Sequence, residues 1–364
     1  MKKRTNSSWV AVFLLFIILL SACQSEPKIQ PTPDPKTTTY PSSEWRVSTP
    51  EEQGFDPEML NEMLENIKQQ NWDVDNITII RHGYKILDVS LGSYQADEPH
   101  LLYSCTKSVV SSLIGIAIEQ GHIESVDVPL TDLFPDREIQ NLDTRKQIMT
   151  LEHLLSMTSG FKCRDSYLYQ YVGLNEMMNS GDWIQHVLDL PMEFQPGTHF
   201  EYCNGVSNLL SAIVQESTGM HTAAFAEQYL FGPLGIDTYS WHEDPAGIPL
   251  GFSELYLRPS DMARFGYLYL QGGVWDGEQI VSSEWVTASS TVKVEANTLQ
   301  DGYGYQWWID TAGYYMALGY HGQFIFVLPE QDMVVVFVSD PEVGDYEVPE
   351  YLLTTYIIPA AQTE

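Results

Sequence analysis

Apolar and polar residues follow different rhythms along the chain, and each rhythm predicts a different element. Over DPEMLNEMLENIKQQ (56–70), Met59, Leu60, Met63, Leu64 and Ile67 recur at helical spacing, with Asp56 placed to cap the first turn. NITIIRHGYKILDVSLG (76–92) changes to short β-branched runs, which predicts two strands folded about His82-Gly83. From Leu101 to about Thr291 helices and loops dominate. A strongly apolar helix follows Ser104 and stops near Gly121; TLEHLLSMTSG (150–160) opens on Thr150 and closes on Gly160; 206–219 and 258–273 read the same way. After Gly302 the strand pattern returns as three successive antiparallel strands, with Pro329 to Asp332 as one hairpin, before a closing helix over 346–361. Strands at both ends of a helical middle predict an α/β fold of the α+β type. One antiparallel sheet would be drawn from 46–100 and 292–364 and flanked by helices, with a helical lobe over 101–291 set against it.

The first apolar run has another meaning. Lys2, Lys3 and Arg4 precede Trp9 to Leu20, and Leu20-Ser21-Ala22-Cys23 closes it. Its twelve residues fall short of the roughly 20 needed to span a bilayer, so 1–22 reads as an export signal. The ending resembles a bacterial lipobox, which implies cleavage before Cys23 and a lipid on its thiol; a simple signal peptide cut near Ala22 is the alternative. Residues 24–44 are rich in Pro, Thr and Ser, so 23–45 reads as a flexible tether, with order starting near Trp45 and one domain over 46–364. The expected location is extracytoplasmic, on a bacterial membrane held through that lipid.

Composition narrows the function. The formal charge is −31 and the pI about 4.4, which excludes a nucleic-acid partner, because phosphate binding needs a basic face. With 44% hydrophobic residues over 364 positions, the chain can bury a large core. No C-x-x-C or H-E-x-x-H occurs and the nine histidines are scattered, so no metal or cofactor is implied.

Chemistry enters at LLYSCTKSVVSSLIGIAIEQG (101–121), where Ser104 and Lys107 stand three positions apart at the front of an apolar helix. Residues i and i+3 share a helix face, and a lysine held in an apolar pocket loses basicity and can take the proton of a serine hydroxyl. Two further patterns accompany it: Tyr202 and Asn204 in FEYCNG, and Tyr320, His321 and Gly322 in LGYHGQ, read as a sheet strand on which Gly322 lets substrate lie against backbone.

In order and spacing these three motifs, with LLSMTSG, LRPSDMARFGYLYLQGG, YGYQWW and GYHGQFIFVLPE, resemble the serine β-lactamase and penicillin-binding-protein superfamily over about residues 46–360. The branch most resembled holds class C β-lactamases, esterases, D-aminopeptidase and 6-aminohexanoate-dimer hydrolases. The resemblance implies a β-lactamase/transpeptidase-like fold. It further implies Ser104 as acylated nucleophile, Lys107 and Tyr202 as its proton partners, and Asn204 holding Lys107 and the substrate. The oxyanion hole would be the N–H groups of Ser104 and Gln323, the latter following Gly322. Which of Lys107 and Tyr202 takes the first proton is left open.

One departure shapes the substrate. Where the family commonly has K-T-G, whose lysine binds a substrate carboxylate, this chain has Tyr320-His321-Gly322. His321 could supply part of that charge when protonated, or serve only as a hydrogen-bonding strand residue. An uncharged ester or amide is therefore the expected substrate; a β-lactam or D-Ala-D-Ala terminus, and a sensor acylated without turnover, are the alternatives. Loops around 163–200 and 285–302 would shape the pocket. Cys105, Cys163 and Cys203 remain, which allow three pairings or three buried thiols. Export and the position of both loops at one cleft favour a Cys163–Cys203 disulfide.

Overall fold

The computed structural model describes residue 40 and residues 44–92, 94–165, 170–296, 300–340, 342–345 and 347–361. The export signal, Cys23 and most of the tether lie outside the described residues. Within the tether, Tyr40 sets its ring edge-on to Tyr267 (5.9 Å) and Trp275 (5.5 Å), so packing on the domain begins upstream of Trp45.

Nine strands build the main sheet. They are β1 (Arg46–Val47), β2 (Val74–Arg81), β3 (Tyr84–Ser90), β4 (Val294–Glu295), β5 (Gly302–Tyr303), β6 (Trp308–Ile309), β7 (Tyr315–Gly319), β8 (Gln323–Leu328) and β9 (Met333–Ser339). Their order is β1-β3-β2-β9-β8-β7-β6-β5-β4, so the two ends of the chain meet where β2 pairs with β9. Every residue of β8 and β9 is buried, which explains why both read as unbroken apolar runs rather than alternating ones. The sheet is antiparallel except at one edge. There β1 runs parallel to β3, because a helix carries the chain across before β2 begins. At the β2–β3 turn His82 (φ 50°) and Gly83 (φ 77°) are both left-handed, the geometry a two-residue hairpin needs.

The helices that matter for the site are few. Helix α1 (Pro57–Gln70) starts on Asp56, whose carboxylate accepts the Glu58 N–H at 2.9 Å, and it buries Leu60, Met63 and Ile67. Helix α2 (Thr106–Glu119) is buried from Thr106 to Ala117. Helix α3 (Leu151–Leu155) is shorter than the sequence suggests: the chain leaves it at Ser156, Met157 turns left-handed (φ 56°), and Gly160 sits in the following loop. Then come α4 (Trp183–Leu188), α5 (Asn204–Thr218) and α6 (Pro259–Leu270). The closing helix α7 (347–360) contains one wider turn, Leu353–Ile357, and Tyr356 on it accepts a hydrogen bond from Asn66 of α1 at 3.1 Å.

The middle of the chain is less uniform than a helical lobe. It carries a small sheet of His100–Leu101, Leu255–Leu257 and Tyr239–Trp241, and a hairpin of Val274–Trp275 with Glu278–Gln279. Helix α6 belongs with the main sheet, since it packs on β2, β8 and β9. That approach is possible because position 266 is glycine: a Cβ there would stand 2.7 Å from Ile325 and Val334. Helices α2 and α5 pack side by side, and the turn before α2 rests on the end of β7.

Candidate active site

Residues Tyr103–Cys105 form one tight helical turn that runs directly into α2 and carries Ser104. Tyr103 adopts φ 45°, a left-handed conformation that costs a non-glycine residue roughly 1–2 kcal/mol. Strain next to a reactive side chain is a feature of sites whose geometry the surrounding fold enforces.

Lys107 is 1% exposed, and among the described residues no carboxylate is hydrogen-bonded to it. Its ammonium spends its three donors on Ser104 Oγ, Asn204 Oδ1 and the Phe252 carbonyl, each at 2.9 Å. The Tyr202 ring lies 4.9 Å from Nζ. Burial lowers the Lys107 pKa to about 7, with the nearby Asp165 charge opposing the shift. The amine can therefore be neutral near physiological pH.

Burial pushes the Tyr202 phenol above the usual tyrosine range, and the neighbouring Ser104 hydroxyl opposes that shift. The Tyr202 ring stacks on Trp308 at 5.7 Å, and Phe200 meets both Trp308 and Tyr303. Asn204 opens α5. Cys203, the residue before it, is disulfide-bonded to Cys163 with Cα atoms 5.8 Å apart. One cluster thus gathers the four residues: hydrogen bonds join Ser104, Lys107 and Asn204, and the Tyr202 ring lies against the Lys107 ammonium.

The third motif lies elsewhere than expected. β7 ends at Gly319, which pairs with Gln323, so Tyr320, His321 and Gly322 form the three-residue turn of a hairpin rather than part of a strand. Gly322 (φ 84°) is required by packing: a Cβ would meet Ser339 Oγ at 2.8 Å and the Asp345 carbonyl at 3.0 Å. His321 bonds through Nδ1 to the Gly344 carbonyl at 2.8 Å. The Gln323 side chain is buried and knits β8 to Ser339, while the Gln323 backbone carbonyl accepts from Cys105 Sγ at 3.4 Å. Tyr320 is exposed, with its ring 5.7 Å from that of Tyr103. The glycine that touches the nucleophile segment is Gly319, where a Cβ would fall 2.4 Å from the Leu102 carbonyl.

Sequence reasoning missed Gly319, Phe252 and Asp165. Phe252 acts through its carbonyl, which no side-chain pattern reveals. Asp165 is 2% exposed, and its Oδ2 accepts the Asn204 N–H at 2.7 Å. Its only signal was a position two residues after Cys163. Cys163, Asp165 and Cys203 place donor atoms within 4.8 Å of one another, but the disulfide uses both sulfurs, so the three do not make a metal site. Cys105 is a buried free thiol that burial pushes to higher pKa, which leaves Ser104 as the activated group of the pair.

Comparison with known proteins shows the family and the fold. The family described as Beta-lactamase matches residues 65–351. The 6-aminohexanoate-dimer hydrolase of Paenarthrobacter ureafaciens is 24% identical over 293 residues, 74% of each chain. Among solved structures, a putative 6-aminohexanoate-dimer hydrolase from Bacillus anthracis superposes with a TM-score of 0.71 at 21% identity, covering 89% of each chain. A family VIII carboxylesterase gives 0.67 at 13% identity, covering 86% of this chain and 98% of its own. At these identities the structural likenesses speak for the fold alone.

Proposed function

The chain belongs to the Beta-lactamase family and is a serine hydrolase; from that premise we propose that it cleaves an ester or amide bond through an acyl-enzyme on Ser104. The observation that carries the reading is the 2.9 Å bond between Lys107 Nζ and Ser104 Oγ, made by a lysine that burial has brought to about pKa 7. Neutral Lys107 takes the hydroxyl proton, Oγ bonds to the substrate carbonyl carbon, and the carbonyl electrons move onto oxygen. Tyr202, kept as a phenol by its burial, gives a proton to the leaving group as that bond breaks and recovers one from Lys107. Water then repeats the sequence on the acyl-enzyme, releases the acid and restores Ser104. Asn204 holds Lys107 in place throughout.

The oxyanion needs backbone donors beside Ser104. Its own N–H is one. The second follows the glycine that lies against the nucleophile segment; because that glycine is Gly319, the donor is the N–H of Tyr320 rather than that of Gln323. With Tyr320-His321-Gly322 in the turn and no lysine there, an uncharged acyl substrate fits better than one that presents a carboxylate. The domain works outside the cytoplasm on a lipid attached to Cys23, a location supported by the Cys163–Cys203 disulfide. Loss of membrane association in Cys23→Ala is the expected result of that anchoring.

The direct test is acylation of the purified domain by a fluorophosphonate probe, followed by kcat/KM for neutral esters, short amides, D-amino-acid peptides and β-lactams. Ser104→Ala should abolish labelling, and Lys107→Ala should slow it by at least about a hundredfold. Retained labelling in Ser104→Ala discards the assignment. Nitrocefin turnover comparable to that of neutral esters would make the protein a β-lactamase, and a burst without turnover would make it a sensor.

A further inference from the structure

We propose that Asp165 is a positioning residue for the acyl transfer, one that fixes Asn204 from a distant segment and whose charge governs how readily Lys107 gives up its proton. The inference rests on the acyl-transfer reading above and adds to it a residue outside the three motifs.

The argument begins at the start of α5. A helix leaves its first N–H groups without partners, and a side chain just before the helix normally accepts them. Here that position is Cys203, whose sulfur is committed to the disulfide. The acceptor comes instead from 39 residues upstream: Asp165 Oδ2 takes the N–H of Asn204 at 2.7 Å. The disulfide holds this arrangement from the neighbouring residues, since Cys163 precedes Asp165 by two positions and Cys203 precedes Asn204 by one. Asn204 is the residue whose Oδ1 accepts from Lys107. Asp165 therefore sets the backbone position of the group that holds the lysine, and does so without touching substrate.

Its charge acts on the same cluster. Asp165 is almost fully buried, so its field reaches Lys107 with little screening. Other titratable groups in these surroundings are Cys105 beside Lys107, Glu201 and Tyr202 ahead of α5, and His186 of α4, which lines the same small cavity as Asp165. Ionised Asp165 favours the ammonium form of Lys107 and disfavours a phenolate at Tyr202. Burial raises Asp165 itself to about 6, against about 7 for Lys107. The two groups titrate next to each other in the range where the nucleophile must lose its proton.

Asp165→Asn keeps the shape and one capping oxygen but removes the charge. The Lys107 ammonium, followed by 15N NMR of its Nζ, should then titrate at lower pH by about 0.5–1 unit, part of the 1–3 units that an opposite charge contributes at close range. The acid limb of kcat/KM for a neutral ester should move down by the same amount, with a melting temperature close to that of the parent protein. Asp165→Ala should show the same displacement together with lower kcat and stability. Unmoved Lys107 titration in both variants, with only stability or kcat reduced, would overturn the proposal and leave Asp165 a helix cap. An unaltered parent chain that turns over no ester would instead count against the acyl-transfer reading, while the NMR titration would still decide the Asp165–Lys107 coupling.

Discussion

Lys107 shows how a site can be built at the expense of the fold. Its three bonds go to neutral oxygens, so among the described residues the ammonium form has no counter-charge in direct contact, and burial favours the neutral amine. The consequence for stability has a definite sign. The folded value, about 7, lies below the roughly 10.4 of a lysine in the unfolded chain. Between those two values the unfolded chain binds more protons, so the Lys107 contribution to stability grows as pH rises from 7 towards 10 and is lost as pH falls through 7. Lys107→Met removes that titration. Urea unfolding of both proteins from pH 6 to pH 10 should show the parent gaining stability relative to Lys107→Met by on the order of 4 kcal/mol. A constant difference across that range would mean that Lys107 remains charged in the folded protein.

At the scale of elements, the hairpin between β7 and β8 decides which backbone meets the nucleophile. Gly319 lies against the Leu102 carbonyl, while Gly322 lies against Ser339 and Asp345 on the far side of the turn. Gly319→Ala forces a Cβ against the Leu102 carbonyl on one side and the Gln323 Cβ on the other, so kcat for a neutral ester should fall at least about tenfold, because a displacement of 1 Å at a reacting centre is already costly. Gly322→Ala should lower the melting temperature, through its φ of 84° and its contacts, and leave kcat within about threefold. The reverse ranking would return the oxyanion donor to Gln323. The same hairpin marks the boundary of what the sequence made readable. The Asp56 cap, the His82-Gly83 turn and the apolar runs of β8 and β9 are local signals, and local signals suffice for elements. LGYHGQ reads as one strand because nothing local says that pairing stops at Gly319; the Gly319–Gln323 register sets that limit. Asp165 was hidden for a related reason: a cap supplied from 39 residues away has no sequence spacing by which to be recognised. Ser104, Lys107, Tyr202 and Asn204 could be read because short spacings tie each pair to one turn of helix or loop.

Over the whole molecule, charge bears on substrate choice. A formal charge of −31 repels anions before they reach the cleft, and the turn at Tyr320-His321-Gly322 supplies no lysine to reverse that field locally. These effects differ in range. The long-range part is screened over about 10 Å at 0.1 M salt, whereas a fixed cation in the pocket would act at contact and respond weakly to salt. Two p-nitrophenyl esters of similar size, one neutral and one with a terminal carboxylate, separate them. The neutral ester should give a kcat/KM that changes little between low and high salt. The anionic ester should be poorer at low salt, by about tenfold or more, and should recover only part of that deficit as salt rises, since screening removes the repulsion but provides no partner for the carboxylate. Equal efficiency for both esters at every ionic strength would require a cation other than Lys107 in the substrate pocket, and the preference for neutral acyl groups would have to be abandoned.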